Sequence, residues 1–201
     1  MNSLKQKKPG LWGRLRHSQY FELLGLICLI IFYSIVVQIQ SGTFLTIGNI
    51  NNILKEIVVY GILSCALAFP ILNGTFDLSI ESTCALGGTI CALLVRGGLL
   101  GIRTGIFPAI LISVVICCVI GAVNGLIVSR TKIDPFIVTL GTQTAVRGLV
   151  YIVGNNSAVT SLPPSFKTLS SGTFLGISIS IWILILTFAV MAFVLGKTSF
   201  G

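Results

Sequence analysis

The chain alternates between long apolar runs and short polar breaks, and the lengths of the runs decide its class. Six runs stand out: Tyr20 to Gln38, Ile53 to Leu72, Ile80 to Val95, Ile106 to Val128, Pro135 to Val153 and Ile177 to Leu195. A spanning helix needs roughly 20 predominantly apolar residues, so most of these runs are long enough to cross a bilayer. The second is broken near its start by Asn51, Asn52, Lys55 and Glu56, and the third is the shortest. The pattern predicts an all-α fold, a polytopic membrane helical bundle of about six transmembrane helices over residues 20–201, preceded by a basic arm at 1–19.

Composition agrees with the pattern. Of 201 residues, 54% are hydrophobic and only 9% are charged, and the mean hydropathy is +1.02. A soluble domain carries about 25% charged residues, so lipid must be the solvent for much of this chain.

The net charge of +8 invites a nucleic-acid reading. Five of the thirteen basic residues, Lys5, Lys7, Lys8, Arg14 and Arg16, precede the first apolar run, however, and the others never interleave with exposed aromatics. Nucleic acid is therefore not an expected partner, whereas anionic membrane lipid is. The same charges orient the chain. With the N-terminus in the cytoplasm, eight basic residues fall inside (the arm, Arg130, Lys132 and Lys197) and four outside (Lys55, Arg96, Arg103 and Lys167), as the positive-inside rule favours. The stretch Asn155 to Gly176 then becomes the longest external loop. The arm and Leu23 to Val37 have the layout of a signal peptide, but no small-x-small cleavage site follows, and they read as an uncleaved first span.

Helix ends are best marked in the fifth run, where Asp134 can cap, Pro135 occupies the first helical position and Gly154 follows the last turn. Small residues recur at Gly121 and Gly125 on the fourth run and at Gly141, Ala145 and Gly148 on the fifth, a spacing that lets helix backbones approach closely in lipid.

Little in the sequence points to catalysis. The six cysteines lie inside apolar runs, where a free thiol behaves as a small hydrophobe. His17 is the only histidine and sits in the basic arm, so no metal site or hydrolytic triad has the residues it needs. Gly196-Lys197-Thr198 resembles the end of a phosphate-binding loop, but Met191 stands where the leading glycine belongs and a spanning run precedes it. No cofactor is expected. The unusual segment is Pro70 to Ser82, which places Asp77 and Glu81 beside or within membrane segments. Ionisable groups at that depth pair with one another or line a wet cavity; Asp77 or Ser79 could equally cap the third helix, with Glu81 in its first turn. Arg147, near the middle of the fifth run, could snorkel outward or turn inward to pair with Asp77 or Glu81.

The segment Phe76-Asp77-Leu78-Ser79-Ile80-Glu81-Ser82, followed by Ala85-Leu86-Gly87-Gly88, resembles the Ile-Asp-Leu-Ser-Val-Gly-Ser signature of ribose-type ABC importer permeases. Gly121-Ala122-Val123-Asn124-Gly125-Leu126-Ile127-Val128 is similar to that family in order and spacing. So is the stretch from Pro135-Phe136-Ile137-Val138-Thr139-Leu140-Gly141-Thr142 through Arg147-Gly148-Leu149. With Leu162-Pro163 and the terminal Thr198-Ser199-Phe200-Gly201, the resemblance runs from about Phe44 onward. It departs at Asn73-Gly74-Thr75-Phe76, where the family commonly has two glycines before Ile-Asp, and at Glu81, which stands in place of a glycine.

The resemblance implies a bacterial cytoplasmic (inner) membrane permease for a sugar of the ribose, xylose or galactoside class. Its implied partners are a second permease subunit (as homo- or heterodimer), a cytoplasmic ATP-binding subunit that carries the ATPase, and an extracytoplasmic sugar-binding protein. Family members run on for about four further spans, so the chain is expected to be the N-terminal half of a longer fold. The candidates for the transport path or permease motif are Asp77, Ser79, Glu81, Ser82, Asn124, Thr139, Thr142 and Arg147, and those for helix packing are Gly121, Gly125, Gly141 and Gly148. The competing readings are an ion-coupled secondary transporter, with Asp77 and Glu81 binding the ion, and a membrane remnant that does not transport.

Overall fold

The computed structural model describes residues 19–198; the charges of the basic arm, His17 and the terminal Ser199-Phe200-Gly201 lie outside them. Seven helices occur among the described residues: α1 Gln19–Ser41, α2 Ile47–Leu72, α3 Ile80–Arg96, α4 Ile106–Arg130, α5 Pro135–Val153, α6 Pro164–Ser171 and α7 Ile179–Lys197. Five of them, α1, α2, α4, α5 and α7, are long and apolar enough to cross a membrane. The third predicted run, α3, is a helix of 17 residues. It also carries the most buried residues of any helix, among them Ser82, Leu86, Gly87, Ile90, Leu94 and Val95. The chain is thus a polytopic helical membrane protein, as its apolar pattern predicts.

The chain divides into two compact units, Met1–Ile53 and Leu54–Gly201. In the first, α1 gives way to a turn in which the Leu45 amide donates to Gln38 Oε1 at 2.8 Å. Helix α2 starts six residues before the apolar run that predicts it. The Asn49 amide donates to Thr46 Oγ1 at 3.3 Å and Asn49 Nδ2 to the Phe44 carbonyl at 2.8 Å, so Thr46 caps a helix that runs through the polar stretch around Asn51 and Asn52.

In the second unit α3 packs along both α4 and α5, and these two meet over a shorter stretch. Leu86, Ile90, Cys91, Leu94 and Val95 of α3 form the core with Ala109 of α4 and Val146 of α5. A close approach of α3 to α4 is at Gly87, where a Cβ would stand 2.7 Å from Cys117 Sγ. The four glycines expected to pack helices do not do so within the described chain. Nothing lies within 4 Å of a Cβ built at Gly121, Gly125, Gly141 or Gly148, because these positions lie on exposed faces of α4 and α5.

The long connection after α5 holds structure too short for periodicity to reveal. Pro164 starts the eight-residue α6. Thr173–Phe174 then pairs antiparallel with Ile177–Ser178 around a two-residue turn with positive φ at both Leu175 and Gly176. That pairing takes up Ile177 and Ser178, so α7 begins two residues later than its apolar run. Trp182 Nε1 donates to the Phe174 carbonyl at 3.1 Å and the two rings meet edge to face at 6.1 Å.

Candidate functional site

The site begins where α2 stops. Pro70 is in its last turns, and the chain reverses through Gly74 at φ +69°. The Gly74 amide donates to the Ile71 carbonyl and the Thr75 amide to the Pro70 carbonyl, both at 2.9 Å, which is the paired bonding of a Schellman stop. A side chain at position 74 would strain that turn. The departure from the family pattern at Asn73-Gly74-Thr75 is therefore a well-formed helix end, and it delivers residues 75–78 without regular structure to the foot of α3.

There, Asp77 Oδ1 accepts from the Ser79 amide at 2.8 Å and from the Ser79 hydroxyl at 2.7 Å. Ser79 occupies the N-cap position of α3 but makes no side-chain cap bond; its hydroxyl proton goes to Asp77. Its oxygen in turn accepts from Asn124 Nδ2 on α4 at 2.9 Å. Asn124 Oδ1 accepts from the Thr142 hydroxyl on α5 at 2.6 Å. Ser79 and Asn124 are 3% and 5% exposed, so the middle of the relay is buried while its ends, Asp77 and Thr142, are half-buried.

The polarity of this relay is fixed by its end. With Asp77 Oδ1 accepting from the Ser79 hydroxyl, Ser79 has only lone pairs left for Asn124, so Asn124 presents its amide NH₂ to Ser79 and its carbonyl is left to face Thr142. Turning the Asn124 amide over would set Ser79's lone pairs against Asp77. Three helix elements far apart in sequence are thereby joined by bonds that each have one permitted direction.

The remaining candidates fall around this relay. Ser82 is fully buried and its hydroxyl donates to the Ser79 carbonyl at 3.0 Å. Thr139 is buried, and its hydroxyl is nearest the Pro135 carbonyl at 2.9 Å, with the Phe76 and Phe136 carbonyls both at 3.3 Å. Arg147 Nη2 bonds Glu81 Oε1, not Asp77. As expected from the sequence, Asp134 caps α5, accepting from the Phe136 amide at 2.8 Å, with Pro135 at the helix start and Gly154 after its last turn.

Sequence reasoning did not anticipate two open hollows. One of about 410 Å³ lies between the α2–α3 connection and the start of α5, lined by Gly74, Thr75, Phe76, Asp134 and Pro135. The other, of about 420 Å³, lies at the opposite end of α3, lined among others by Arg96, Gly97, Gly154, Asn155 and Ser157. The glycines and polar residues that end these helices were the available signal.

Residues 49–201 match the family described as branched-chain amino acid transport system / permease component. The chain is 32% identical to the L-arabinose ABC transporter permease protein AraH of Azospirillum brasilense over 96% of its own length and 54% of that protein's. It is 34% identical to the ribose import permease protein RbsC of Haemophilus influenzae over 90% of its length and 55% of the relative's. To RbsC of Bacillus subtilis it is 33% identical, over 89% and 53%. The chain thus spans about half the length of the curated relatives it matches. No solved structure matches it.

Proposed function

The chain belongs to the family of branched-chain amino acid transport system permease components, and from that premise we propose that it is a membrane permease subunit of an ATP-binding-cassette importer that carries a sugar. The observation that carries this reading is its similarity, over about nine-tenths of its length or more, to permeases named for L-arabinose and ribose. Pentoses are accordingly the first substrates to try. The relay from Thr142 to Asp77 supports the reading as a register device: it fixes how α3, α4 and α5 sit while a path opens and closes beside them.

On this reading the chain resides in a bacterial inner membrane with its N-terminus in the cytoplasm. It pairs with a second permease subunit, takes its work from a cytoplasmic ATP-binding subunit and receives solute from an extracytoplasmic binding protein. The secondary-transporter alternative needs a carboxylate that can take up a coupling ion. Against it, Asp77 Oδ1 accepts two bonds from Ser79 and Glu81 is paired with Arg147.

Uptake of labelled ribose and L-arabinose by cells carrying this gene with its chromosomal neighbours tests the proposal. Uptake is expected to stop when the partner ATPase is inactivated and to survive a proton uncoupler. Uptake that ignores the ATPase and collapses with the uncoupler would establish ion coupling instead, and no uptake of any sugar would favour the remnant.

A further inference from the structure

Arg147 lies twelve residues into α5 from Pro135, about 18 Å along the helix axis, close to the middle of a hydrocarbon layer about 30 Å thick. Its partner Glu81 sits in the first turn of α3. The pair is not enclosed by the helices that carry it: the Arg147 side chain is 36% exposed and that of Glu81 is 65% exposed. Gln143 lies one turn before Arg147 on α5, on the same flank of the helix.

Elsewhere the second unit already has a surface suited to lipid. The outward residues of α4 include Leu111, Val114, Val115, Val119, Val123 and Leu126, with no charge among them. A carboxylate and a guanidinium within the hydrocarbon layer against acyl chains would lose their hydration with little in return, and such groups are found facing a bundle interior or water. The two faces are therefore not equivalent: one is built for lipid and the other for something polar.

The geometry points to the Glu81–Arg147 face as the wall of the aqueous path, with Glu81 serving to cancel the charge of Arg147. This inference rests on the proposed permease function and names the class of solute its path selects. Arg147 has five N–H donors, of which the Glu81 contact engages Nη2, and the carboxylate keeps acceptor sites. Together they offer adjacent hydroxyls both a donor and an acceptor while carrying no net charge. A neutral polyol passes such a wall. A sugar acid or sugar phosphate gains nothing from it, whereas an unpaired Arg147 would attract those anions. Glu81, which replaces a small residue of the family signature, is then the residue that sets charge selectivity.

The test uses the full chain in membrane vesicles, with Glu81→Cys, Arg147→Cys and Val115→Cys made singly. Each is treated with an anionic and a cationic water-soluble methanethiosulfonate, and labelling is read above that of the unsubstituted chain, whose six cysteines set the background. Positions 81 and 147 are expected to label and position 115 to stay silent. Glu81→Cys should prefer the anionic reagent and Arg147→Cys the cationic one, each by roughly tenfold, the lower end of what a charged cleft does to a counter-ion's on-rate. Silence at both 81 and 147, or equal rates with both reagents, would overturn the inference whether or not any sugar is carried.

A second arm uses the conservative Glu81→Gln in the uptake assay. The inference expects ribose uptake by that variant to become inhibitable by ribonic acid, to which the native permease is indifferent. Inhibition equal in both would overturn it. A chain that labels as expected but carries no sugar leaves the wet face standing and removes the sugar-permease proposal.

Discussion

The two ends of α3 are held by different physics. Between Asp77 and Ser82 the helix is tied to α4 and α5 by hydrogen bonds of fixed direction, through Ser79, Asn124 and Thr142. Between Leu86 and Val95 it is held by apolar packing, with Ala109 and Val146 as the facing residues. In lipid the apolar end gains no hydrophobic drive towards its neighbours, because the acyl chains are as apolar as leucine, and only close packing remains. Packing rewards any dense arrangement, but the relay rewards one. The difference teaches that the polar end chooses the alignment of the three helices and the apolar end makes that alignment compact.

The comparison breaks most visibly at the apolar end. Leu86→Ala leaves a void that no transfer from water compensates; with a cavity term of about 24 cal/mol per Å³, the loss should be about 2 kcal/mol. Thermal unfolding in detergent should show a lowered midpoint, while the helix alignment, read by distance labels on α3 and α5, stays as it is.

At the polar end Asn124→Leu should cost less, about 1 kcal/mol, since bonds between membrane helices average only roughly 0.6 kcal/mol each. Its effect on alignment should be the larger of the two. A cycle with Thr142→Val sharpens the point: the two losses should be coupled by roughly 0.6 to 1.7 kcal/mol. Additive losses would show that the relay carries no cooperative energy.

The effect at the surface glycines has the opposite sign. Because a Cβ at Gly121 meets nothing within 4 Å, Gly121→Ala should not destabilise the isolated chain, and the better helix propensity of alanine should add up to about 1 kcal/mol. A loss measured in the assembled complex but not in the isolated chain would mean that another subunit packs there.

Much of this was legible in the sequence where the determinant is local. Asp134, Pro135 and Gly154 bound α5 as expected, because capping, a proline start and a helix stop act within a few residues. Thr46 was missed as a cap because the polar stretch after it reads as loop until the Thr46 and Asn49 bonds are seen. Asn124 and Thr142 were singled out by motif, yet their bond joins different helices, and no spacing rule predicts which faces meet. For the same reason the glycines were assigned to packing while the close approach falls at Gly87. Which of Asp77 and Glu81 partners Arg147 is likewise a matter of which faces meet: the bond goes to Glu81, while Asp77 accepts from Ser79.

The length of α3 has one more consequence. Its 17 residues rise about 25 Å, less than the roughly 30 Å of hydrocarbon around it, and an open hollow of about 410 or 420 Å³ lies at each of its ends. Seen as an electrical element, this part of the bundle is a septum between two wells and not a slab of uniform thickness. Water in the wells would bring bulk potential inward from both sides, so the membrane voltage would fall across the septum more steeply than across the lipid beside it.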